Sequence, residues 1–467
     1  MWSLRPLSLA AAVCALTSLH TPSALAAESA ATSAAASPAD IQRLQQELRE
    51  LRLSYESRLQ LLEQQLQKAL DRQPQSATAS APAATQTAPA APASTQGTAR
   101  PSSAANAFNP AVSLVLSGVY AHLQRDPGTW GLGQFLPGDG ELGPGDKGLR
   151  LGESELRLAA SIDPWWSGAL NLALTSENEA EVEEAYVQST ALADGLTVKA
   201  GRFRSSVGYL NEQHPHTWDF VDAPLPQQAF LAGGLGHDGL QVRWLAPTDQ
   251  YLELGGEVAR GASADNGAGS TLVFARTGRD IGASHNWRLG LSHLWERGLS
   301  RTWDDTAGLS HQFDGRARLW VLDGVWKWAP QGNAQSTSFK LQGEVYQRQL
   351  SGQWLADTLG AASQDAFGNT ARGYYLQGVY QFAPRWRVGL RHDEATPGTA
   401  ELGANTGLVA WSDHKPQRQS LMLDYSPSEF SRWRVQVNND RTRADLRDAQ
   451  VFLQYQMSLG AHGAHGY

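Results

Sequence analysis

The stretch VFLQYQMSL, from Val451 to Leu459, decides the fold of this chain. Its odd-numbered positions are apolar: Val451, Leu453, Tyr455, Met457 and Leu459. The residues between them are polar, apart from Phe452. Because side chains alternate across a strand, the segment has one apolar and one polar face. The pattern predicts a β-strand with one face in an apolar environment.

An aromatic residue, Tyr467, ends the chain. A final strand followed by a terminal aromatic resembles the assembly signal of outer-membrane β-barrels, which implies barrel-assembly machinery as a partner. In lipid, only helices and closed barrels satisfy every backbone polar group. We therefore expect an all-β transmembrane antiparallel barrel in contact with outer-membrane lipid.

Residues 1–26 have the pattern of a secretory signal, with Arg5 before an apolar core and a small-x-small site at Ala24-Leu25-Ala26. The single cysteine, Cys14, lies inside this signal, so the mature chain is expected to contain no disulfide. A lipoprotein role for Cys14 is the alternative, although it falls early for such a motif. We expect export to the bacterial outer membrane.

Composition favours a barrel over an ordinary globular protein. The chain has 45 Gly and 16 Trp, 18% charged residues and a net charge of −8. Only half of a barrel faces lipid, so its mean hydropathy stays low, and Trp suits the interfacial girdles. The acidic balance argues against nucleic acid as a partner.

Three segments precede the barrel, which is predicted over 107–467. An Ala/Ser tract covers 27–39, and apolar residues then recur at spacings of three and four over 40–70. This predicts an α-helical coiled coil in the periplasm, most simply in a homotrimer. A single amphipathic helix is the alternative. Residues 71–106 are rich in Ala, Pro, Thr and Ser and read as a disordered linker.

Alternating turns and apolar periodicity predict about sixteen strands in the barrel. They are 112–124, 149–163, 165–177, 181–190, 196–204, 239–246, 251–260, 271–277, 286–296, 317–328, 338–350, 372–382, 385–393, 419–426, 432–441 and 450–459. The expected long connections are 125–148, 205–238, 297–316, 351–371 and 394–418, all at one end. Such asymmetry is typical of outer-membrane barrels. A soluble β-sandwich array is the alternative.

The segment LTVKAGRFRSSVGYLNEQHPHTWDFVDAPLPQQAF, from Leu196, resembles the strand-and-loop signature of phosphate-selective-type porins. A coiled coil before a barrel also resembles sugar and siderophore-type porins with a periplasmic stalk. Relatives of this kind are sometimes labelled TonB-dependent receptors, but residues 27–106 cannot fold into a plug. The resemblance implies that a loop after the fifth strand narrows the lumen.

We expect the loop 205–238 to form a pore constriction, with acids facing basic residues of the wall. The candidate acids are Glu212, Asp219, Asp222 and Asp238, and the candidate bases are Arg157, Lys199, Arg202, Arg243 and Arg391. No clean arginine ladder is visible, which speaks against phosphate specificity.

The step His214-Pro215-His216, with His237, is a weak candidate for a metal site such as zinc. The alternative is that these are polar loop residues hydrogen-bonded to neighbours. A second pair, His462 and His465, stands near the chain end. We expect no bound cofactor beyond weak zinc binding.

The sequence contains neither a Gly-x-Ser-x-Gly motif nor an HExxH motif, so we do not expect the protein to be an enzyme. The expected function is a porin for passive diffusion of small hydrophilic solutes or ions. Uptake of a metal ion or metal chelate is one alternative. A structural tether between the outer membrane and the cell wall is the other.

Overall fold

The computed structural model describes residues 110–460, apart from 134, 137–141, 175–178, 261–267, 305–309, 359–360 and 410. The predicted signal (1–26), Ala/Ser tract (27–39), coiled coil (40–70) and linker (71–106) lie outside the described residues. The chain end, including His462, His465 and Tyr467, also lies outside them. These predictions stay predictions.

Strands make up most of the described chain. They are β1 Ala111–Leu123, β2 Gly148–Leu151, β3 Ser154–Ser161, β4 Trp166–Leu174, β5 Ala180–Ser189, β6 Leu196–Arg204, β7 Gly236–Leu245, β8 Tyr251–Arg260, β9 Ala268–Ile281, β10 His285–Asp304, β11 Ser310–Trp328, β12 Ser338–Thr358, β13 Ala361–Ala383, β14 Trp386–Thr396, β15 Ala400–Glu401, β16 Gln417–Ser428, β17 Ser431–Arg441 and β18 Asp448–Gly460. One α-helix is described, α1 Leu225–Leu231, with short 3₁₀ turns at Pro127–Thr129, Pro215–Thr217, Pro330–Gly332 and Gly403–Asn405. Among the described residues, no helix has the length and hydropathy needed to span a bilayer.

The strands form one closed antiparallel barrel. β18 pairs with β1 from Ser113↔Gly460 to Leu123↔Gln450, which closes the ring. β2 and β3 pair with successive parts of β1 and therefore share one position in the wall. β15 adds two residues beside β13, and β14 pairs directly with β16. The wall therefore has sixteen strands, and the predicted antiparallel barrel is confirmed.

Apolar side chains face outward and polar side chains face inward, the reverse of a soluble protein. On β17, Val435 and Val437 are 42% and 43% exposed, whereas the alternating residues Arg434, Gln436 and Asn438 are each at most 1% exposed. The stretch that opened the sequence analysis behaves in the same way, since Val451 and Leu453 are exposed and Phe452 is buried. Alternation of this sense is what a lipid-facing wall around a polar lumen requires.

The two ends of the barrel differ. At one end every connection is short: 162–165, 190–195, 246–250, 282–284, 329–337, 384–385 and 429–430. At the other end the connections 124–147, 205–235 and 397–416 are long, as predicted. The predicted strands 372–382 and 419–426 end one and two residues too early, because β13 and β16 continue to Ala383 and Ser428.

Two predicted long loops, 297–316 and 351–371, are wrong. The described residues of these ranges belong to the hairpins β10–β11 and β12–β13, whose strands have 20, 19, 21 and 23 residues. Beyond the apolar belt the outward residues become polar, as at Asp314 and Gln353, so the apolar-out alternation disappears. The hairpins are instead stabilised by an inward apolar cluster, with Leu299, Phe313, Leu350, Trp354 and Phe367 among its members.

Candidate functional site: a loop fastened inside the barrel

The connection 205–235, between β6 and β7, lies inside the barrel, and we call it the lumen loop. The backbone N–H groups of Tyr209 and Leu210 both donate to Glu344 Oε1 on β12, each at 2.7 Å. On the far side, the Val221 N–H donates to Gln436 Oε1 on β17 at 2.7 Å. The loop therefore contacts widely separated parts of the wall. The predicted loop extended to residue 238, but β7 already begins at Gly236.

Helix α1 packs the lumen loop against the wall. All seven of its residues are buried, and the N–H of Leu225 at its start donates to Asp393 Oδ2 on β14 at 2.9 Å. Phe230 stacks on Tyr346 of β12 with ring centroids 5.8 Å apart. The helix joins a large apolar cluster with wall residues such as Leu319 and Tyr375, so the hydrophobic effect holds the loop in place.

Two acids of the lumen loop pair with basic residues of the wall. Asp222 lies 2.6 Å from Arg391 Nη2 and 3.0 Å from Arg418 Nη1, oxygen to nitrogen. Asp219 pairs with Lys340 and, at 3.2 Å, with Arg387. Each buried carboxylate therefore bridges two basic side chains, and such charge-assisted hydrogen bonds are stronger than neutral ones. Of these bases the sequence analysis singled out only Arg391.

The other basic residues of this cluster were missed, although a signal for them existed. Arg418 on β16 and Arg434 on β17 are each 1% exposed, and Arg434 Nε lies 2.7 Å from Asp424 Oδ1. Arg434 alternates with outward apolar residues, as Arg387 does on β14, whereas Arg418 stands between two glutamines. Reading every inward position of β12, β14, β16 and β17 would have found a basic wall opposite the acids.

Four further candidates face the lumen: Glu212, Arg243, Arg157 and Lys199. Glu212 lies 3.0 Å from Arg276 Nη2 and 3.9 Å from Arg243 Nη1. Arg157 Nη1 lies 3.4 Å from Asn171 Oδ1, and Lys199 lies 4.4 Å from the ring centre of Tyr186. Glu212 belongs to the lumen loop and the three bases to the wall, and none of the four is among the ion-pair partners of Asp219 and Asp222 described above.

Arg202 and Asp238 do not line the lumen. They pair with each other at 2.7 Å, with side chains 47% and 49% exposed. Asp238 alternates with buried His237 and shares its face with outward Leu240, so its side chain leaves the barrel. Their expected place in the constriction is corrected for this reason.

His214 and His216 meet a group of wall carboxylates that the sequence analysis did not consider. His214 Nδ1 lies 3.1 Å from Glu155 Oε2 and 3.0 Å from Glu183 Oε2, and its Nε2 lies 3.1 Å from Glu184 Oε2. His216 Nδ1 lies 3.2 Å from Glu155 Oε2. All of these side chains are mostly buried. We call this group the histidine–glutamate cluster.

Two irregularities in the wall build this cluster. The ladder between β4 and β5 shifts at Asn171↔Glu184 and Leu172↔Val182, which leaves Glu183 as an extra residue. A bulge of this kind re-aims side chains, so the adjacent Glu183 and Glu184 both face the lumen. The second irregularity is the break between β2 and β3, next to Glu155. Strict alternation would have placed Glu183 and Glu184 on opposite faces, which is why the sequence pattern hides them.

His237 belongs elsewhere. It lies on β7, where its Nε2 is 3.1 Å from Glu257 Oε2 and its ring packs edge-on to Phe203. The weak metal site predicted for His214, His216 and His237 together is therefore not assembled as one group. The two loop histidines have a different set of neighbours.

The pKa values of the loop groups agree with this geometry. Burial opposes ionisation of Glu212, yet Arg276 and Arg243 lower its pKa to about 2. Burial likewise works against Asp222, but Arg418 and Arg391 hold its pKa well below the usual range. Burial disfavours a charged His214, whereas hydrogen bonds with Glu155, Glu183 and Glu184 raise its pKa well above the usual range.

Acidification from pH 6 to pH 4 is expected to leave the lumen loop in place. The folded-state pKa values of Glu212 and Asp222 lie below those of the unfolded chain, about 4. The stabilisation that these ion pairs supply is therefore present above pH about 4 and lost as pH falls through the folded-state pKa, about 2 for Glu212. Current through single channels in planar bilayers, recorded with a metal chelator present, is the measurement. A transition between pH 6 and pH 4 would contradict these assignments.

Several known proteins are similar to this chain. A comparison with protein families found no match. Among solved structures, a loop-deletion form of OmpT, an outer membrane protein of Vibrio cholerae, is 10% identical, covers 75% of this chain and 99% of its own, and has a TM-score of 0.48. The outer membrane channel DcaP of Acinetobacter baumannii is 13% identical, with 75% and 97% covered and a TM-score of 0.47. OprB of Pseudomonas putida is 13% identical, with 75% and 94% covered and a TM-score of 0.45.

One relative is similar in sequence as well. An uncharacterized protein of Aquifex aeolicus (strain VF5) is 30% identical over 333 residues, which cover 66% of this chain and 68% of that protein. An identity of this extent shows common descent over most of both chains. The chain therefore belongs to the same family as this Aquifex aeolicus protein.

Proposed function

We propose that the protein is an outer-membrane porin through which small hydrophilic solutes or ions diffuse passively, past a constriction made by the lumen loop. The observation that carries this proposal is the inverted wall, with apolar residues exposed and charged residues inside. In water, so many exposed apolar side chains would form patches far larger than soluble monomers tolerate. In lipid, the same wall is stable and encloses a polar path.

A water-accessible space beside the lumen loop supports a path for solutes. A cavity of about 1130 Å³ opens at the end with short connections. Its lining includes one loop residue and four basic wall residues: Tyr209, Arg288, Lys327, Lys340 and Arg387. Two of these basic residues, Lys340 and Arg387, also contact Asp219 of the loop. Charged residues of both signs therefore extend from the cavity to the lumen loop. Rings of charge at a narrow point are how porins select among solutes.

Conductance of the purified full-length protein in planar lipid bilayers, recorded with a metal chelator present, tests the proposal. We expect stepwise openings that persist at low voltage. Folded protein, recognised by β-type circular dichroism and by a heat-dependent shift in gel migration, that inserts and carries no current would overturn it. The chelator separates this test from any effect of bound metal.

Two other functions considered from the sequence find less support. A tether between membrane and cell wall depends on residues 40–70, outside the described residues. Trimer formation, predicted through barrel packing and the same coiled coil, stays a prediction. Transit of a metal ion would need ligands along a path, whereas the histidine–glutamate cluster is one closed, buried group.

Replacing Leu421 by arginine is expected to lower the free energy of unfolding by about 2–4 kcal/mol, the cost of arginine near the bilayer midplane on a lipid-facing wall. Leu421 is 49% exposed and lies beside Leu390 and Val437, which are also exposed. Reversible urea unfolding from lipid vesicles measures the change.

The matched control is Gln353→Arg, which also faces outward but lies on the extended part of β12 beside Asp314. This change should cost about 0–1 kcal/mol, as for arginine near or beyond the interface. Equal costs at the two positions would show that the apolar belt does not lie at the height of Leu421.

A further inference from the structure

We propose that Glu155, His214 and His216, with Glu183 as the nearest fourth ligand, bind a divalent transition-metal cation of the zinc class. The cation would fasten the lumen loop to strands β3 and β5. The inference goes beyond the proposed function, because it concerns a resident cation rather than the solute. It holds or fails whether or not the barrel conducts.

The spacing of the ligand atoms suits such a cation. One oxygen, Glu155 Oε2, lies 3.1 Å from His214 Nδ1 and 3.2 Å from His216 Nδ1. Ligand atoms of these three residues all lie within 4.8 Å of one another, and Glu183 belongs to an overlapping set with Glu153, Glu155 and His214. Zinc bonds of about 2.1 Å in a tetrahedral site place ligand atoms about 3.4 Å apart. The two contacts of Glu155 Oε2 need to lengthen by only about 0.2–0.3 Å to reach this spacing.

Outer contacts already orient the ligands. Glu184 Oε2 lies 3.1 Å from His214 Nε2 and accepts a hydrogen bond of 2.8 Å from Asn171 Nδ2. A ligating histidine commonly gives its second ring N–H to a carboxylate, which directs the other nitrogen to the metal. Here that arrangement turns His214 Nδ1 toward Glu155. Arg204 pairs with Glu183 Oε1, while the other oxygen, Oε2, faces His214.

The chemistry of the donors selects the metal. Two imidazoles with carboxylates suit Zn²⁺ and its transition-metal neighbours, whereas Ca²⁺ and Mg²⁺ prefer sites made of oxygen alone. The side chains of His214, His216 and Glu155 are 8%, 3% and 4% exposed, so the site is shielded from bulk water. A shielded site with an excess of carboxylates also favours a cation by charge.

Zinc binding to the full-length protein in detergent tests the proposal. The work uses a His462→Ala/His465→Ala background, so that the histidines near the chain end do not contribute. Calorimetric titration with Zn²⁺ should show one equivalent bound per chain, unaffected by a large excess of Mg²⁺. His214→Ala and His216→Ala should each weaken binding at least about tenfold, since even outer contacts of a metal site contribute that much.

The matched control is His237→Ala, which removes another buried lumen histidine paired with a glutamate. The His237→Ala variant should bind zinc with the same affinity as the background protein. Glu155→Gln, which keeps the side-chain volume, serves if a histidine variant does not fold. Two results would overturn the proposal: no zinc bound by the folded background protein, or undiminished binding in the folded ligand variants. In either case the contacts of His214 with the glutamates would connect this part of the loop to the wall without a cation.

Discussion

Excision of the lumen loop is expected to raise the single-channel conductance severalfold. Residues 205–235 would be replaced by Asn-Gly, since Arg204 and Gly236 are paired neighbours on β6 and β7 and a two-residue turn joins such strands. The loop brings a buried helix and an apolar cluster into the lumen. A barrel of sixteen strands without such an obstruction leaves an aqueous channel. Planar bilayers containing the altered and unaltered proteins give the comparison.

Folding of the shortened protein is checked separately. The ladder of the wall does not include the excised residues, so circular dichroism and the heat-dependent shift in gel migration should be retained. The wall groups that the loop covered, such as Glu344 and Arg418, become hydrated when it is removed. A folded barrel whose conductance equals that of the unaltered protein would show that the loop does not limit the path.

Replacing Asp222 by alanine is expected to destabilise the protein by about 3–5 kcal/mol, the usual effect of removing one partner of a buried ion pair. Asp222 contacts Arg391 and Arg418, whose side chains are both 1% exposed. It also accepts hydrogen bonds of 2.9 Å from Gln436 and Asn438. After the change, the two buried guanidinium groups share Asp393 as the remaining carboxylate among the ion pairs described here. Urea unfolding from lipid vesicles measures the loss.

Asp238→Ala is the control for Asp222→Ala. Its carboxylate pairs with Arg202 on the exposed outer face, where ion pairs contribute about 0–1 kcal/mol. Conductance adds a second readout, since a loop released from β14 and β16 should give larger or noisier openings. If both aspartate variants lose the same stability, the buried pairs are not what holds the lumen loop.

The sequence by itself determined the wall. Alternation such as Trp433-Val435-Val437 against Arg434-Gln436-Asn438 requires an apolar surround on one face and a polar interior on the other. It predicted the barrel and its sixteen strands, because these depend on local periodicity and turn chemistry. The resemblance of the segment from Leu196 to porins indicated which loop enters the lumen. The sequence also singled out Asp222 and Arg391, which form an ion pair in the structure, and Asp219, whose basic partners it missed.

Other features depend on contacts between residues far apart in the chain. The extended hairpins β10–β11 and β12–β13 escaped detection because their outward residues are polar, and only the aromatic cluster inside them explains why they continue as strands. Arg202 and Asp238 were misplaced because side-chain direction depends on register, and a shift of one residue moves a side chain to the other face.

The histidine–glutamate cluster was decided by tertiary structure alone. Its loop histidines are separated from Glu155 by about sixty residues, and a bulge in β5 turns both Glu183 and Glu184 inward. A bulge interrupts the regular alternation from which strands are predicted, so no pattern in the sequence predicts the bulge itself. The periodic wall can be derived from its residues one strand at a time, whereas the site exists only where a loop meets the irregular part of that wall.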